Sequence, residues 1–331
     1  MTLQMTIIGL GQIGASFGLA LQPYSEKMSR VGHDKSRITA NRAKKQGAVD
    51  RVAITLSGSV KDADIVLLAL PMQEIKSVLE HIGEDLNPET LVIDTAPLKA
   101  PVLRWAEEFL PDDVYYVGLT PVINPAYLED LTFGLEAARE DMFQGCLLAV
   151  VAGRGTDQKA VKMTTDLIDL VGGDPFFVDP AEIDGVMTMT HIMPRLLATS
   201  LLAASLDRPG WREGQKMAGK AYSTVTSPMA VDDVPGALAN MAVNNQDNMV
   251  RVINDLIRIL IDVREDVESG AEERLAEKFL SAQKGRDLWR QDRESGKWSD
   301  HQASEEIERG GLLGDLFGFR PPRPPAEDED E

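Results

Sequence analysis

The feature that most constrains the fold is a glycine-rich turn near the start of the chain. The apolar run 5–8 leads into Gly9, Gly11 and Gly14 at G-x-G-x-x-G spacing, and a helical apolar pattern follows them. In a strand–turn–helix unit these positions serve a tight turn, the close approach of a diphosphate and the packing of the helix on the strand. The helix then offers free N–H groups and a partial positive charge to phosphates. The stretch therefore predicts a dinucleotide site.

An acidic residue after the next predicted strand supports this interpretation. The run 30–33 is predicted to be a short strand that ends at Asp34, about 20 residues after Gly14, where an acid binds the adenosine ribose and repels a 2′-phosphate. This favours NAD, whereas Lys35 and Arg37 follow directly and leave NADP open. The alternative is an α/β fold that has kept the turn without the ligand.

Further apolar runs predict the rest of an α/β domain with a parallel sheet. The run 65–70 is continuously apolar and stops at Pro71, as is typical of a parallel strand covered on both faces. Additional strands are predicted at 91–95, 115–118 and 146–151. Ligands of such folds bind beyond the carboxyl ends of the strands, which is where Pro71 lies.

Composition limits the class of protein. A net charge of −19 disfavours nucleic acid and anionic membranes as partners, and no uninterrupted apolar run is long enough to span a bilayer. The single cysteine, Cys146, excludes an internal disulfide and suits a reducing compartment. Since the N-terminus lacks the features of a signal peptide, we expect a cytoplasmic protein. The four histidines lack ligand-like spacing, so we predict no structural metal.

Changes in composition along the chain predict three segments. We assign 1–153 to a Rossmann-type dinucleotide-binding domain, 154–285 to a mainly helical substrate and dimerisation domain, and 286–331 to a charged, Pro-rich, largely disordered tail. Within the tail, the apolar segment 310–319 either packs on its own protein or acts as a tethered docking peptide.

Long apolar helical patterns predict self-association. The segments 187–206 and 249–263 carry many apolar residues at helical spacing in an acidic chain. Such helices need a partner surface, so we expect a homodimer through the helical domain.

Five short motifs along the chain are together more specific than any one of them alone. They are GLGQIGAS at 9–16, ALP at 69–71, DTAPLK at 94–99, GLTP at 118–121 and THIMPRLLA at 190–198. Their order and spacing resemble the prephenate/arogenate dehydrogenases of tyrosine biosynthesis, within the larger group similar to 6-phosphogluconate dehydrogenase. The resemblance covers roughly 5–265.

The resemblance implies a fold and a reaction. It implies a Rossmann domain, an all-helical dimerisation domain and an active site in the cleft between them. The implied reaction is oxidation of a ring hydroxyl on a small carboxylated substrate, by hydride transfer to the nicotinamide and with loss of carbon dioxide. The implied cofactor contacts are Gly9, Gly11, Gln12, Ile13, Gly14, Asp34, Leu70, Pro71 and Thr95.

The substrate half departs from the family pattern. The chain has Pro97 where the family usually has Ser, Thr120 where it has His, and Arg195 where it has a second His. The substrate-binding Arg of the family aligns with Thr226, in a stretch that aligns loosely. Lys99 does match, as does the histidine of the last motif.

The remaining candidates have chemical roles that can be stated from their side chains. His191 is the candidate base, because alcohol oxidation needs a group that accepts the hydroxyl proton near neutrality; otherwise it is a histidine with internal hydrogen bonds. Arg195 shares a helical face with it if Pro194 keeps the register, and either clamps a substrate carboxylate or pairs with an acid of the partner subunit. Lys99 holds a carboxylate or the cofactor, or is a solvated loop lysine. Thr120 can only position a substrate by hydrogen bonding.

Three functions therefore remain open at this point. The first is a dehydrogenase of the prephenate/arogenate type. The second is a dehydrogenase or reductase that acts on a different carboxylated substrate through the altered cleft. The third is a dinucleotide-binding dimer without catalytic activity.

Overall fold

The computed structural model describes residues 2–153, 155–230 and 235–296. The chain divides into two compact units, the first ending at Asp179 and the second beginning at Pro180. None of the described helices combines the length and the apolar character that crossing a membrane requires.

The first unit is built on one sheet, which confirms the predicted α/β class. Its strands are β1 (Leu3–Ile8), β2 (Met28–His33), β3 (Arg51–Val52), β4 (Ile65–Leu68), β5 (Leu91–Asp94), β6 (Tyr115–Pro121), β7 (Leu147–Val151) and β8 (Asp174–Phe177). They lie in the order β3-β2-β1-β4-β5-β6-β7-β8. All neighbouring pairs are parallel except β6 and β7, which are antiparallel. The reversal of strand order at β1 creates the crevice in which such sheets bind ligands.

Helices cover the sheet and close a single apolar core. They are α1 (Gln12–Ala20), α2 (Arg37–Lys45), α3 (Leu56–Val60), α4 (Met72–Ile82), α5 (Ala100–Phe109) and α6 (Gln158–Leu170). All four residues of β4 are buried, as expected for a parallel strand that packs against helices on both faces. Phe17 of α1 contacts Phe143 with ring centroids 4.4 Å apart, so the long connection before β7 is part of the core.

The first unit extends beyond the boundary that we expected at residue 153. Strand β8 pairs with β7 from Leu147–Asp174 to Val150–Phe177, and α6 lies between them in sequence and contributes buried side chains to the core. The sheet is therefore completed by residues that composition assigned to the second segment. The unit extends to Asp179 because β8 pairs with β7, although the whole of α6 lies between these two strands in sequence.

The second unit is entirely helical in its described residues. It contains α7 (Pro180–Met187), a π-helical turn (Thr188–Ile192), α8 (Met193–Leu206), α9 (Trp211–Met217), α10 (Lys220–Thr226), α11 (Pro235–Asn244), α12 (Gln246–Glu268) and α13 (Glu272–Ser295). This agrees with the predicted helical class of the C-terminal part.

Helix α13 corrects the predicted start of the tail. It continues to Ser295, although the charged composition after 285 suggested a disordered segment. Its residues are mostly good helix formers, and it carries Glu272 and Glu273 in the first turn and Arg293 in the last, where they complement the helix dipole. The remainder of the predicted tail, with the apolar segment 310–319, lies outside the described residues.

An ion-pair cluster fixes the turn between α12 and α13. Asp266 is buried and accepts hydrogen bonds from Arg274 and from Lys278, with Nζ of the lysine 2.5 Å from its Oδ2. The hydrogen bond from Lys278 holds the pKa of Asp266 below its ordinary value, and the charge of Arg274 acts in the same direction. Earlier in α12, Ile257, Leu260 and Ile261 expose apolar surface in the single chain.

Candidate functional site

The glycine turn that follows β1 depends on the absence of side chains. Gly9 has φ +92°, and a Cβ there would lie 2.2 Å from the carbonyl oxygen of Ala69. A Cβ on Gly14 would lie 2.0 Å from the carbonyl oxygen of Gly9. Only glycine fits at either position without moving backbone, and the close contact brings the start of α1 against the carboxyl ends of β1 and β4.

The second glycine of the motif, Gly11, borders open space. A Cβ on Gly11 would have no atom within 4 Å from any residue other than its two chain neighbours. Gly11 is the N-cap of α1, and Gln12 and Ile13 in the first turn are partly exposed. The helix therefore presents its first N–H groups beside a gap that no side chain fills. This arrangement suits the diphosphate of a dinucleotide.

The structure places the carboxylate of Asp34 beside the same turn. Its Oδ2 accepts a hydrogen bond from the backbone N–H of Leu10 at 2.9 Å, and its Oδ1 accepts one from the N–H of Ser36 at 2.8 Å. These bonds fix the orientation of a carboxylate that remains partly exposed. Each oxygen keeps a second lone pair, which can accept a hydrogen bond from a ligand hydroxyl.

The other predicted cofactor contacts lie at the same edge of the sheet. Leu70 and Pro71 follow β4, and a side-chain carbon of Leu70 comes within 3.0 Å of where a Cβ on Gly9 would lie. Thr95 follows β5, and its backbone N–H and its hydroxyl both donate to the carbonyl oxygen of Leu68, at 3.0 and 3.2 Å. The carboxyl ends of β1, β2, β4 and β5 thus gather all of these predicted residues in one region.

The environment of Lys99 differs from those that the sequence suggested, which were a position beside a substrate carboxylate or the cofactor and a solvated loop. Its side chain is fully buried, and Nζ donates to Oδ1 of Asp94 at 2.9 Å, to the carbonyl oxygen of Asp94 at 3.3 Å and to that of Leu119 at 2.8 Å. The three N–H donors of the ammonium are thereby engaged. Lys99 is neither a solvated loop lysine nor available to a substrate carboxylate in this structure.

Sequence reasoning missed the partner of Lys99. Asp94 is fully buried, and besides the lysine it accepts hydrogen bonds from the hydroxyl of Tyr116 and from the N–H of Ala96. The sequence did contain an indication of this pairing, since Asp94 and Lys99 begin and end the same motif. Thr120 lies next to this cluster, where it is almost completely buried and donates to the carbonyl oxygen of Ala96 at 3.3 Å.

In the second unit, His191 and Arg195 are brought together. His191 lies in the π-helical turn, and Nη1 of Arg195 donates to the carbonyl oxygen of His191 at 3.0 Å, so Pro194 does not separate the two residues. Burial among neighbouring atoms lowers the pKa of His191 to about 3, and the charge of Arg195 acts in the same direction. The imidazole is therefore neutral at physiological pH and can accept a hydrogen bond.

A buried polar network that the sequence did not reveal supports this turn. Asn245, at the N-cap of α12, donates from Nδ2 to the hydroxyl of Thr188 at 2.5 Å and to the carbonyl oxygen of Asp184 at 3.2 Å. Thr188 in turn donates to the same carbonyl oxygen at 2.6 Å. An asparagine just before a long helix was the available signal, but its side chain makes no capping hydrogen bond and its partners lie far away in sequence.

Thr226 makes a local contact at the end of α10. Its hydroxyl donates to the carbonyl oxygen of Tyr222 at 2.8 Å, which leaves the oxygen able to accept. Among the described residues, the buried hydroxyl of Tyr222 and Oδ1 of Asn240 have no protein partner. These atoms are further polar groups that sequence reasoning did not select. No cluster of described side chains has the composition of a metal site.

Comparisons with known proteins place both units in one family. Residues 17–175 match the family model described as prephenate dehydrogenase, nucleotide-binding domain, and 179–281 match prephenate dehydrogenase, dimerization domain. The two matches follow each other along the chain and together cover most of it.

Individual relatives agree with the family models. A prephenate dehydrogenase of Bacillus subtilis is 27% identical over 285 residues, which are 85% of this chain and 74% of the relative. The fold is that of A. aeolicus prephenate dehydrogenase, solved with hydroxyphenyl propionate and NAD+, with a TM-score of 0.76 at 20% identity over 87% of this chain and 98% of the other. Synechocystis arogenate dehydrogenase has a TM-score of 0.67 at 20% identity, covering 87% and 100%.

The buried position of Lys99 leads to a prediction about stability. Lys99→Met should lower the free energy of unfolding by about 3–5 kcal/mol, because it leaves the carboxylate of Asp94 buried without its cation. Urea unfolding followed by circular dichroism measures the loss. Lys61→Met, at an exposed lysine, is the matched control and should change the value by less than about 0.5 kcal/mol. A similarly small loss for Lys99→Met would contradict the assigned role.

Proposed function

Since the chain belongs to the prephenate dehydrogenase family, we propose that it oxidises prephenate or arogenate with NAD and releases carbon dioxide. The observation that carries this proposal is the succession of the two family domains. The glycine turn lies just before the first matched segment, and Asp34 within that segment is hydrogen-bonded to the turn. The A. aeolicus relative with a TM-score of 0.76 was solved with NAD+, and relatives named for prephenate and for arogenate both occur.

The residues of the first unit fit NAD. The first turn of α1 and the gap beside Gly11 would hold the diphosphate, and the carboxylate of Asp34 would accept hydrogen bonds from the adenosine ribose. Leu70, Pro71 and Thr95 would line the neighbouring edge. The cofactor supplies the hydride acceptor, so what remains for the protein is to bind the substrate and to manage the hydroxyl proton.

We assign to His191 the hydrogen bond from the substrate hydroxyl. With its pKa lowered to about 3, the ring is neutral at physiological pH and accepts the hydrogen bond of the substrate hydroxyl. Arg195, one helical turn away, provides positive charge for a substrate carboxylate, and Thr226 is the second candidate for binding it. Thr120 lacks a titratable group, so its role is limited to positioning. Lys99 has no direct part, because it neutralises Asp94.

We further propose a homodimer in the cytoplasm. The second unit matches a domain described as a dimerization domain, and α12 leaves Ile257, Leu260 and Ile261 exposed in the single chain. Burial of such a helical face against a second copy would remove this apolar surface from water. The single cysteine, Cys146, is buried, and a chain with one cysteine is in keeping with a reducing compartment.

An assay of the purified protein tests the proposal. With NAD and either prephenate or arogenate, we expect turnover that is visible as absorbance of the reduced nicotinamide. His191→Ala should lower kcat/KM at least about tenfold, whereas His81→Ala, at an exposed histidine of the first unit, should not change it. NAD binding without turnover on either substrate would contradict the proposal and favour a different carboxylated substrate.

The lowered pKa of His191 also predicts the pH profile. Only the neutral ring accepts the hydrogen bond of the substrate hydroxyl, so activity falls where the ring becomes protonated. With a pKa of about 3, kcat/KM should stay level between pH 7 and pH 5. A histidine with the ordinary pKa of about 6.5 would instead lose about thirtyfold by pH 5. An acid limb near pH 6.5 that disappears in His191→Ala would contradict the environment described for this ring.

A further inference from the structure

We propose that Glu74 is a positioning residue that helps the site to choose NAD over NADP, by holding the ammonium of Lys35 away from a 2′-phosphate. This inference rests on the proposed use of a nicotinamide dinucleotide. Nζ of Lys35 lies 2.6 Å from Oε1 of Glu74. Lys35 lies in the loop after β2 and Glu74 in the first turn of α4, on opposite sides of the glycine turn.

The sheet register shows where this ion pair lies. Strands β2 and β4 flank β1, and His33, Ile8 and Leu68 lie level at the carboxyl edge. Lys35 follows β2 by two residues, and Glu74 lies in the first turn of α4, just after β4. The axes of β2 and β4 are about 10 Å apart, two strand spacings. The Lys35–Glu74 pair therefore spans the edge at which β1 enters its glycine turn.

The carboxylate of Asp34, next to Lys35 in sequence, is the reason that the Lys35–Glu74 pair affects the choice of cofactor. Asp34 repels a 2′-phosphate, and sites that accept NADP place a cation close to that position. Lys35 directly follows Asp34, so its ammonium is well placed to compensate the repulsion. While the ammonium bonds to the carboxylate of Glu74, its charge is neutralised locally and one of its donors is occupied. Removing the charge of Glu74 therefore releases a cation for the 2′-phosphate.

The size of the effect follows from exposure. The Lys35 side chain is 74% exposed and that of Glu74 is 29% exposed, so water and salt screen the pair. Exposed pairs of this kind shift equilibria by about two- to fivefold. Arg37 is the first residue of α2 and is also exposed. It is the other cation that could strengthen NADP binding, so the experiment has to separate the effects of Lys35 and Arg37.

Calorimetric titration of the full chain with NAD+ and with NADP+ tests the inference. We measure the ratio of the two dissociation constants, Kd for NADP+ over Kd for NAD+. Glu74→Gln should lower this ratio by about two- to fivefold at low salt, mainly through tighter binding of NADP+. Glu80→Gln makes the same charge change at an exposed position of the same helix and should leave the ratio unchanged.

A double-mutant cycle identifies the cation. In a Lys35→Ala background, Glu74→Gln should have no further effect on the ratio, whereas in an Arg37→Ala background its effect should persist. An unchanged ratio in Glu74→Gln, or an equal change with and without Lys35, overturns the inference. In either case, NAD+ binding by the unaltered chain leaves the proposed function standing. Failure of the unaltered chain to bind either dinucleotide overturns both.

Discussion

The close contact between Gly9 and the backbone of Ala69 is the constraint on which the site depends. Gly9 has a positive φ, and the contact leaves no room for a Cβ there. Because Gly14 then packs on the carbonyl oxygen of Gly9, α1 must start directly above the ends of β1 and β4. The N–H of Leu10 is fixed in the same turn and donates to Asp34. One backbone geometry thus sets both the direction of the helix dipole and the position of the acid.

Charges at this edge of the sheet divide into two kinds with different energetics. Lys99 and Asp94 are fully buried, and their pairing mainly prevents the cost of an isolated buried charge. Lys35 and Glu74 form a pair of similar length that is largely exposed, so it can open and re-form at little cost. Because Lys99 is buried, it stabilises the fold, whereas Lys35 is exposed and can exchange Glu74 for a ligand.

The sequence predicted the local part of this account and missed what depends on distant contacts. The glycine turn and Asp34 are recognisable because spacing along one βα unit determines their geometry. Burial of Lys99 was not foreseen, since one of its acceptors is the carbonyl oxygen of Leu119 on another strand. The environment of His191 depends on a turn that Asn245 supports from the start of α12. The sheet boundary was missed because β8 pairs with β7 across a helix. The end of α13, 286–295, was missed because its charged residues resemble those of a disordered tail.

Titration of NAD+ into Gly11→Ala tests whether the backbone of the glycine turn, where no side chain intervenes, binds the diphosphate of NAD. A Cβ on Gly11 meets no atom within 4 Å from any residue other than its two chain neighbours, so the variant should melt at the same temperature as the unaltered chain. The methyl group fills the gap beside the first turn of α1, and affinity for NAD+ should fall at least about tenfold, the loss of one good charge-assisted hydrogen bond. Equal affinity in the two proteins, with both folded, would contradict the account.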